Sequence, residues 1–218
     1  MALTNKPRPT IGVDKYTFFK VLTDTEEGTT YDNAVALPGT VEISPTDNGA
    51  NSVFDADNGA YETFSYVETM GHELTNADVP PEVDAMWRGL TLKNGGVEMG
   101  AEVAAPYFGV AWRITKADGT HRYVRYYKGK YGFASHVGGQ TKPSDGAPEA
   151  QTATATYSAV KRDFDDNIMY YVDESDFPEG LERDAFEAKF FTDMSYYPTA
   201  ETTSGTTSGT TSGTGTGQ

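Results

Sequence analysis

Two neighbouring runs constrain this chain more than anything else in it. Tyr107 to Lys116 (YFGVAWRITK) and His121 to Lys128 (HRYVRYYK) are dense in aromatic and β-branched residues, with Asp118-Gly119 between them. Such side chains favour a pleated surface, and Asp-Gly is a strong hairpin turn. The same grammar recurs along the sequence. Lys15 to Leu22 (KYTFFKVL) reads as a strand, and Val41 and Ile43 alternate with Thr40 and Glu42. Ala60 to Leu74 (AYETFSYVETMGHEL) reads as a strand broken or bent at Gly71, Gln151 to Val160 alternates Thr with Ala, and Ile168 to Val172 closes the series. The helical period is clear once, over residues 79–89. There Val79, Val83, Met86, Trp87 and Leu90 form a stripe, Asn76 or Asp78 can cap it, and Gly89 can end it. About seven strands and one helix predict a mainly β fold, an antiparallel β-sandwich or barrel with one short flanking α-helix.

The domain plan follows from what interrupts these runs. Residues 1–14 read as an N-terminal arm and 15–175 as the β domain. Residues 176–200 read as a C-terminal extension with a second helix over 184–194, and 201–218, almost entirely Gly, Ser and Thr, as a flexible tail. Inside the β domain, residues 44–59 (SPTDNGANSVFDADNG) carry turn residues almost throughout and predict a long loop. Val53 and Phe54 within it call for a cover.

The chain has no cysteine, so its body must hold together by packing alone, without disulfides or thiolate metal sites. No apolar run is long enough to span a membrane, and the segment Met1 to Pro7 lacks the apolar core of a secretory signal. The net charge of −15 is segregated. Val21 to Trp87 holds 14 acidic residues and no Lys or Arg, and Asp163 to Glu187 holds 10 against one Arg. Arg113 to Lys130 holds six basic residues and one Asp. This is either a set of solvated faces, or acidic and basic surfaces that meet between subunits, or an acidic surface lining something it must not bind.

Motifs for chemistry are incomplete. His72-Glu73-Leu74-Thr75-Asn76 starts like a zincin helix but lacks the second histidine. Asp55 to Gly59 starts like a calcium loop, but the glycine falls one position early and no Glu stands at the twelfth position. His72, His121 and His136 lie in no local catalytic signature, and no phosphate or dinucleotide fingerprint occurs. These residues predict no catalytic site, no metal site and no cofactor. The cations and aromatics of residues 121–128 read as a strand with a basic face (Arg122, Arg125, Lys128 and Lys130) that finds carboxylates on a neighbouring subunit; their second reading is nucleic-acid binding.

Several pieces in order resemble the major tail proteins of long, non-contractile-tailed phages, the phi13-type family. They are Ala36-Leu37-Pro38-Gly39 feeding a strand, the segment Phe54 to Thr63, the short helix from Pro80 to Gly89, the Arg/Tyr-rich hairpin, and the Thr-rich Gln151 to Tyr157. The resemblance covers roughly residues 10–175. It implies a tail-tube fold whose copies close into hexameric rings, stacked around a tape-measure protein and ended by tail-terminator and distal tail proteins. It implies a virion component assembled in the host bacterial cytoplasm, with phage DNA passing through without sequence-specific binding and no membrane insertion. Asp47, Asn48, Val53, Phe54, Asp55 and Asp57 would then reach the next ring, and Glu62, Glu68 and Glu73 are candidates to line the lumen. The rival expectation is a non-enzymatic β-sandwich that binds a surface or a carbohydrate.

Overall fold

A computed structural model describes residues 7–46, 48–56, 58–132, 138–141 and 150–199. Among these residues the elements run β1 (Thr10–Thr25), β2 (Gly28–Tyr31), β3 (Val35–Ala36), β4 (Thr40–Pro45), β5 (Asn48–Ala56) and β6 (Gly59–Asn76). Then follow α1 (Pro81–Arg88), β7 (Thr91–Lys93), β8 (Gly96–Glu98), β9 (Phe108–Lys116) and β10 (His121–Tyr131). The chain continues with β11 (Ala153–Ala159), β12 (Met169–Asp173), a 3-10 turn (Glu174–Asp176) and α2 (Arg183–Phe190). The fold is mainly β and antiparallel, as the alternating runs predict.

Ten strands form one sheet in the order β2-β1-β9-β10-β11-β6-β4, with β3 added to β1, β12 to β10 and β5 to β6. The sheet rolls up. Strands β1 and β6 are four steps apart, about 19 Å along a flat sheet, yet Tyr16 Oη on β1 lies 2.8 Å from His72 Nε2 on β6. Side chains from β1, β9, β10, β11 and β6 therefore share one interior, including Tyr16, Phe18, Trp112, Tyr126, Tyr157 and Leu74. The helix α1 closes it: Trp87 stacks on Tyr131 with centroids 3.9 Å apart and meets Phe18 edge-on. Burial of this many rings supplies the driving force that disulfides would supply in a smaller body.

The strand β1 reaches that interior by a bulge. Its pairing to β9 shifts by one residue between Asp14 and Thr17, and Lys15 takes φ 55°. The extra residue flips the alternation, so that Val13 before it and Tyr16 and Phe18 after it all pack inward. The opposite face of β1, β9 and β10 is covered as well. Phe19, Ala111, Tyr123 and Tyr127 pack against Leu181, Phe186, Phe190 and Met194. The segment 176–199 is therefore a third layer over the outside of the sheet, not an appendage.

The structure corrects several boundaries. Thr10 to Asp14 belong to β1 and pair with β9, so the arm is at most residues 1–9, of which 1–6 lie outside the described residues. The expected loop 44–59 holds the end of β4, the whole of β5 and the first residue of β6, and β5 and β6 form a paired hairpin. The strand through Gly71 is not broken; it exchanges partners there, from β5 on one side to β11 and β4 on the other. A Cβ at Gly71 would collide with the carbonyl oxygen of Tyr157, so glycine is needed for close approach rather than for a bend. Helix α1 starts at Pro81, two residues late, and ends on Gly89 in the left-handed region as expected. Neither Asn76 nor Asp78 is its N-cap: the Asn76 amide donates to the Pro38 and Asp78 carbonyls, and Asp78 Oδ1 accepts from the Val79 N–H. Met86 of the expected stripe is exposed. The tail 201–218 lies outside the described residues.

Candidate assembly surface

The hairpin β5–β6 has no core of its own. From Asn51 to Asp55 and from Gly59 to Val67 every residue is exposed. Its register pairs Ser52 with Phe64, Phe54 with Glu62, and Ala50 with Tyr66, so Phe54, Phe64 and Tyr66 share one face. Tyr61 meets Phe54 edge-on from the adjoining bulge. The other face carries Val53, Thr63, Val67 and the Ser65–Asn51 hydrogen bond of 2.7 Å. Phe54, Phe64 and Tyr66 are each more than half exposed. A two-stranded ribbon with an uncovered aromatic face is marginal by itself and is a surface in want of a partner. The hairpin spans about 30 Å at ~3.4 Å per residue over the nine residues of β5.

The turn that makes the hairpin was legible and missed. Asn58 lies between β5 and β6, just before the paired Ala56 and Gly59 close the ladder, and adopts φ 69°, the left-handed conformation that asparagine tolerates in tight turns. The density of turn residues around it pointed to loop instead. Of the residues expected to reach a neighbouring ring, Asn48, Val53, Phe54 and Asp55 are on this hairpin. Asp47 and Asp57 lie outside the described residues.

The basic strand behaves differently from its expectation, and the shared basic face is a correction. Arg122 and Arg125 point to opposite sides of β10, and a register shift between Tyr126 and Gly129 resets the alternation before Lys128 and Lys130. Arg122 forms a fork on Asp173 at 2.6 and 2.9 Å. Arg125 is fully buried, donates to the carbonyls of Met194 (2.6 Å) and Tyr196 (2.5 Å), and lies 4.2 Å over the Phe190 ring. Lys128 pairs with Asp24 at 2.5 Å. Lys130 alone of the four lacks both a carboxylate and a carbonyl partner among the described residues, lying 4.4 Å over the Tyr107 ring.

The acidic segment that answers these cations is in the same chain. Lys116 and Arg122 converge on Asp173; Arg113 joins Asp14 and Glu187; Lys15 also reaches Glu187; Arg183 holds Glu174. The Arg122 guanidinium, with Lys116, keeps the Asp173 carboxyl below the usual range. Burial opposes ionisation of Glu187, but hydrogen bonds from Lys15, Tyr123 and Arg113 outweigh it and hold the carboxyl at about 2. The basic run 113–130 thus meets most of its carboxylates in 163–187 of the same chain.

The lumen candidates are not brought together. Glu62 is on the hairpin facing Phe54 across the strands, the Glu68 side chain is outside the described residues, and Glu73 is exposed on the outer face of β6. Glu73 pairs in register with Ser44 of β4 and Thr156 of β11. Glu42, exposed Thr156 and Ser158 extend this surface, and β4, β6 and β11 contain no Lys or Arg. It is a polar face whose charges are Glu42 and Glu73, bordered on β10 by Lys130, the register partner of Ser158.

The other residues singled out are structural. His72 is fully buried among Tyr16, Trp112, Tyr126 and Tyr157. Burial alone pushes its pKa down to about 3, so it is neutral. His121 is mostly buried at the start of β10, and His136 is outside the described residues. Trp87 and Trp112 are core residues, so neither offers a platform for stacking a sugar. Among the described residues no group of three His, Cys, Asp or Glu is placed to hold a metal ion. Neither a protein-family model nor a curated protein matches this chain.

Proposed function

We propose that this chain is a structural subunit that assembles with copies of itself into rings stacked as a hollow tube, of the phage tail-tube kind. The β5–β6 hairpin carries the proposal. A folded body extends a hairpin whose aromatic face no other described element covers. An arm of one copy that docks head-to-tail on the body of the next generates rings or filaments, whereas reciprocal exchange of arms closes a pair.

The anionic outer face of β4, β6 and β11 supports the second half of the reading. A channel that passes nucleic acid must not bind it, and carboxylates with hydroxyls and no cations repel phosphate. In this reading Glu42 and Glu73 face the passage, the tape-measure protein occupies it during assembly, and terminator and distal proteins close the ends.

The test is electron microscopy of the purified full-length chain at high concentration, beside a variant lacking residues 47–57. The expected result is rings or tubes with a central hole for the parent and folded monomer for the deletion. A parent that stays monomeric, or a deletion that still builds normal tubes, refutes the proposal.

A further inference from the structure

The carboxylates that folding leaves unpaired decide when two copies can meet. We infer that assembly is gated electrostatically: copies hold one another apart at low ionic strength, and screening of the hairpin carboxylates lets the hairpin dock. This rests on the self-assembly proposed above and adds how it is switched on.

The anionic half of the fold is residues 21–87, which become the end of β1, β2 to β6 and most of α1, and which contain no Lys or Arg. Among the described residues, the carboxylates of this stretch held in ion pairs are Asp24, on Lys128, and Asp84, on Arg88. Glu26, Glu27, Glu42, Asp55, Glu62 and Glu73 are exposed and in no ion pair among the described residues. On the hairpin, Glu62 shares the face of Phe54, its register partner, and Asp55 is on the opposite face. Whichever face docks, a carboxylate goes with it.

The other half offers few cations in return. Lys15 and Arg113 are engaged by Glu187 of their own copy, and Lys116 and Arg122 by Asp173. Arg125 is sealed in the core. Lys20 and Lys130 are in no ion pair among the described residues, but they are on opposite sides of the sheet. Lys20 pairs in register with the core residue Phe108, whereas Lys130 pairs with Ser158 and lies over the ring of the next residue, Tyr107. No surface of the described residues gathers two free cations. Two copies, each at a net charge of −15, therefore approach with like charge facing like.

Salt sets the reach of this repulsion. The Debye length is ~30 Å at ~0.01 M ionic strength and ~8 Å at ~0.15 M. The hairpin is itself about 30 Å long. At the lower ionic strength its tip therefore touches a second body while the two bodies still repel. At the higher one only charges at the contact remain, and on the hairpin side these are Asp55 and Glu62. Burial of the aromatic face is not screened, so added salt tips the balance toward docking.

The test follows light scattering of the full-length protein as NaCl rises from ~10 to ~150 mM, with electron microscopy of the product. The parent is expected to assemble ~10-fold or more faster at the upper end. D55N/E62Q removes the hairpin charge and keeps its shape. It is expected to assemble ~3-fold or more faster than the parent at ~10 mM, and like the parent at ~150 mM. E179Q/E182Q removes the same charge from exposed sites just before α2 and is expected to follow the parent. If salt acted by strengthening apolar burial, D55N/E62Q would keep the full salt dependence of the parent, and the gate would be wrong. It is equally wrong if the parent is as fast at the lower salt as at the higher, or if E179Q/E182Q gains as much as D55N/E62Q; self-assembly stands in each case. A parent that forms nothing at any salt concentration refutes the assembly reading and the gate with it.

Discussion

His72 shows how much a single buried side chain can impose. It is neutral in the folded state because burial pushes its pKa to about 3, against about 6.5 when exposed. Between those values the unfolded chain binds a proton that the folded chain refuses, so stability falls as pH drops through this window. The loss approaches roughly 4 kcal/mol near pH 3. His72→Gln removes the titration and should flatten urea-melt stability between pH 6 and 4.5 relative to the parent. His121, also lowered by burial, titrates in both proteins and cancels in the comparison. An unchanged pH profile would remove His72 as the cause. Gly71 is the second residue with a sharp consequence. Gly71→Ala forces the β6 and β11 backbones apart at the Tyr157 carbonyl and should cost ~2–4 kcal/mol in denaturant melts, although alanine is otherwise benign in a strand. Neither effect was readable from the sequence. His72 looked like half of a metal motif and Gly71 like a bend, because the partners that decide both, Tyr16 and Tyr157, are 56 and 86 residues away.

The strands were legible where one face is buried and the other wet. In residues 153–159, Ala, Ala and Tyr point in and Thr, Thr and Ser point out, and the alternation is visible by eye. The hairpin β5–β6 was illegible for the opposite reason. Exposed on both sides, it has no strict alternation to impose, and its Asn, Asp and Gly residues imitate a loop. The third layer was half legible: Phe186 and Phe190 marked a helix, but nothing local told that its cover is the outer face of β10. Arg125 fixes that layer by holding the Met194 and Tyr196 carbonyls beneath Phe190. Arg125→Ala leaves the buried Met194 carbonyl and the half-buried Tyr196 carbonyl without their donor and a hole under the ring. The expected loss is ~3 kcal/mol or more, with protease cleavage appearing first within residues 177–199. Cleavage that begins elsewhere, or a loss below ~1 kcal/mol, would show that the layer is held by its aromatic packing alone.

At the scale of the whole molecule, stability and assembly are written in different places. The barrel interior and the α2 layer hold the buried rings, while the hairpin adds exposed ones. Removing residues 47–57 should therefore leave the melting temperature of the body within a few degrees, whereas Leu74→Ala, inside the barrel, should cost ~2–5 kcal/mol. Calorimetry of both variants checks this separation; a deletion that melts as early as the core variant would show that the hairpin props up the body.

The strand β6 joins these two regions without interruption. Its outer half is the hairpin, and residues 70–76 are bonded in register to β11 on one edge and β4 on the other. A pull along the hairpin therefore loads both ladders lengthwise, with their hydrogen bonds lying across the direction of force. They must slip together instead of opening one after another. Mechanically the arm is a tenon cut from the same timber as the wall, and tension between neighbouring copies passes into two strand pairs at once rather than into a loop.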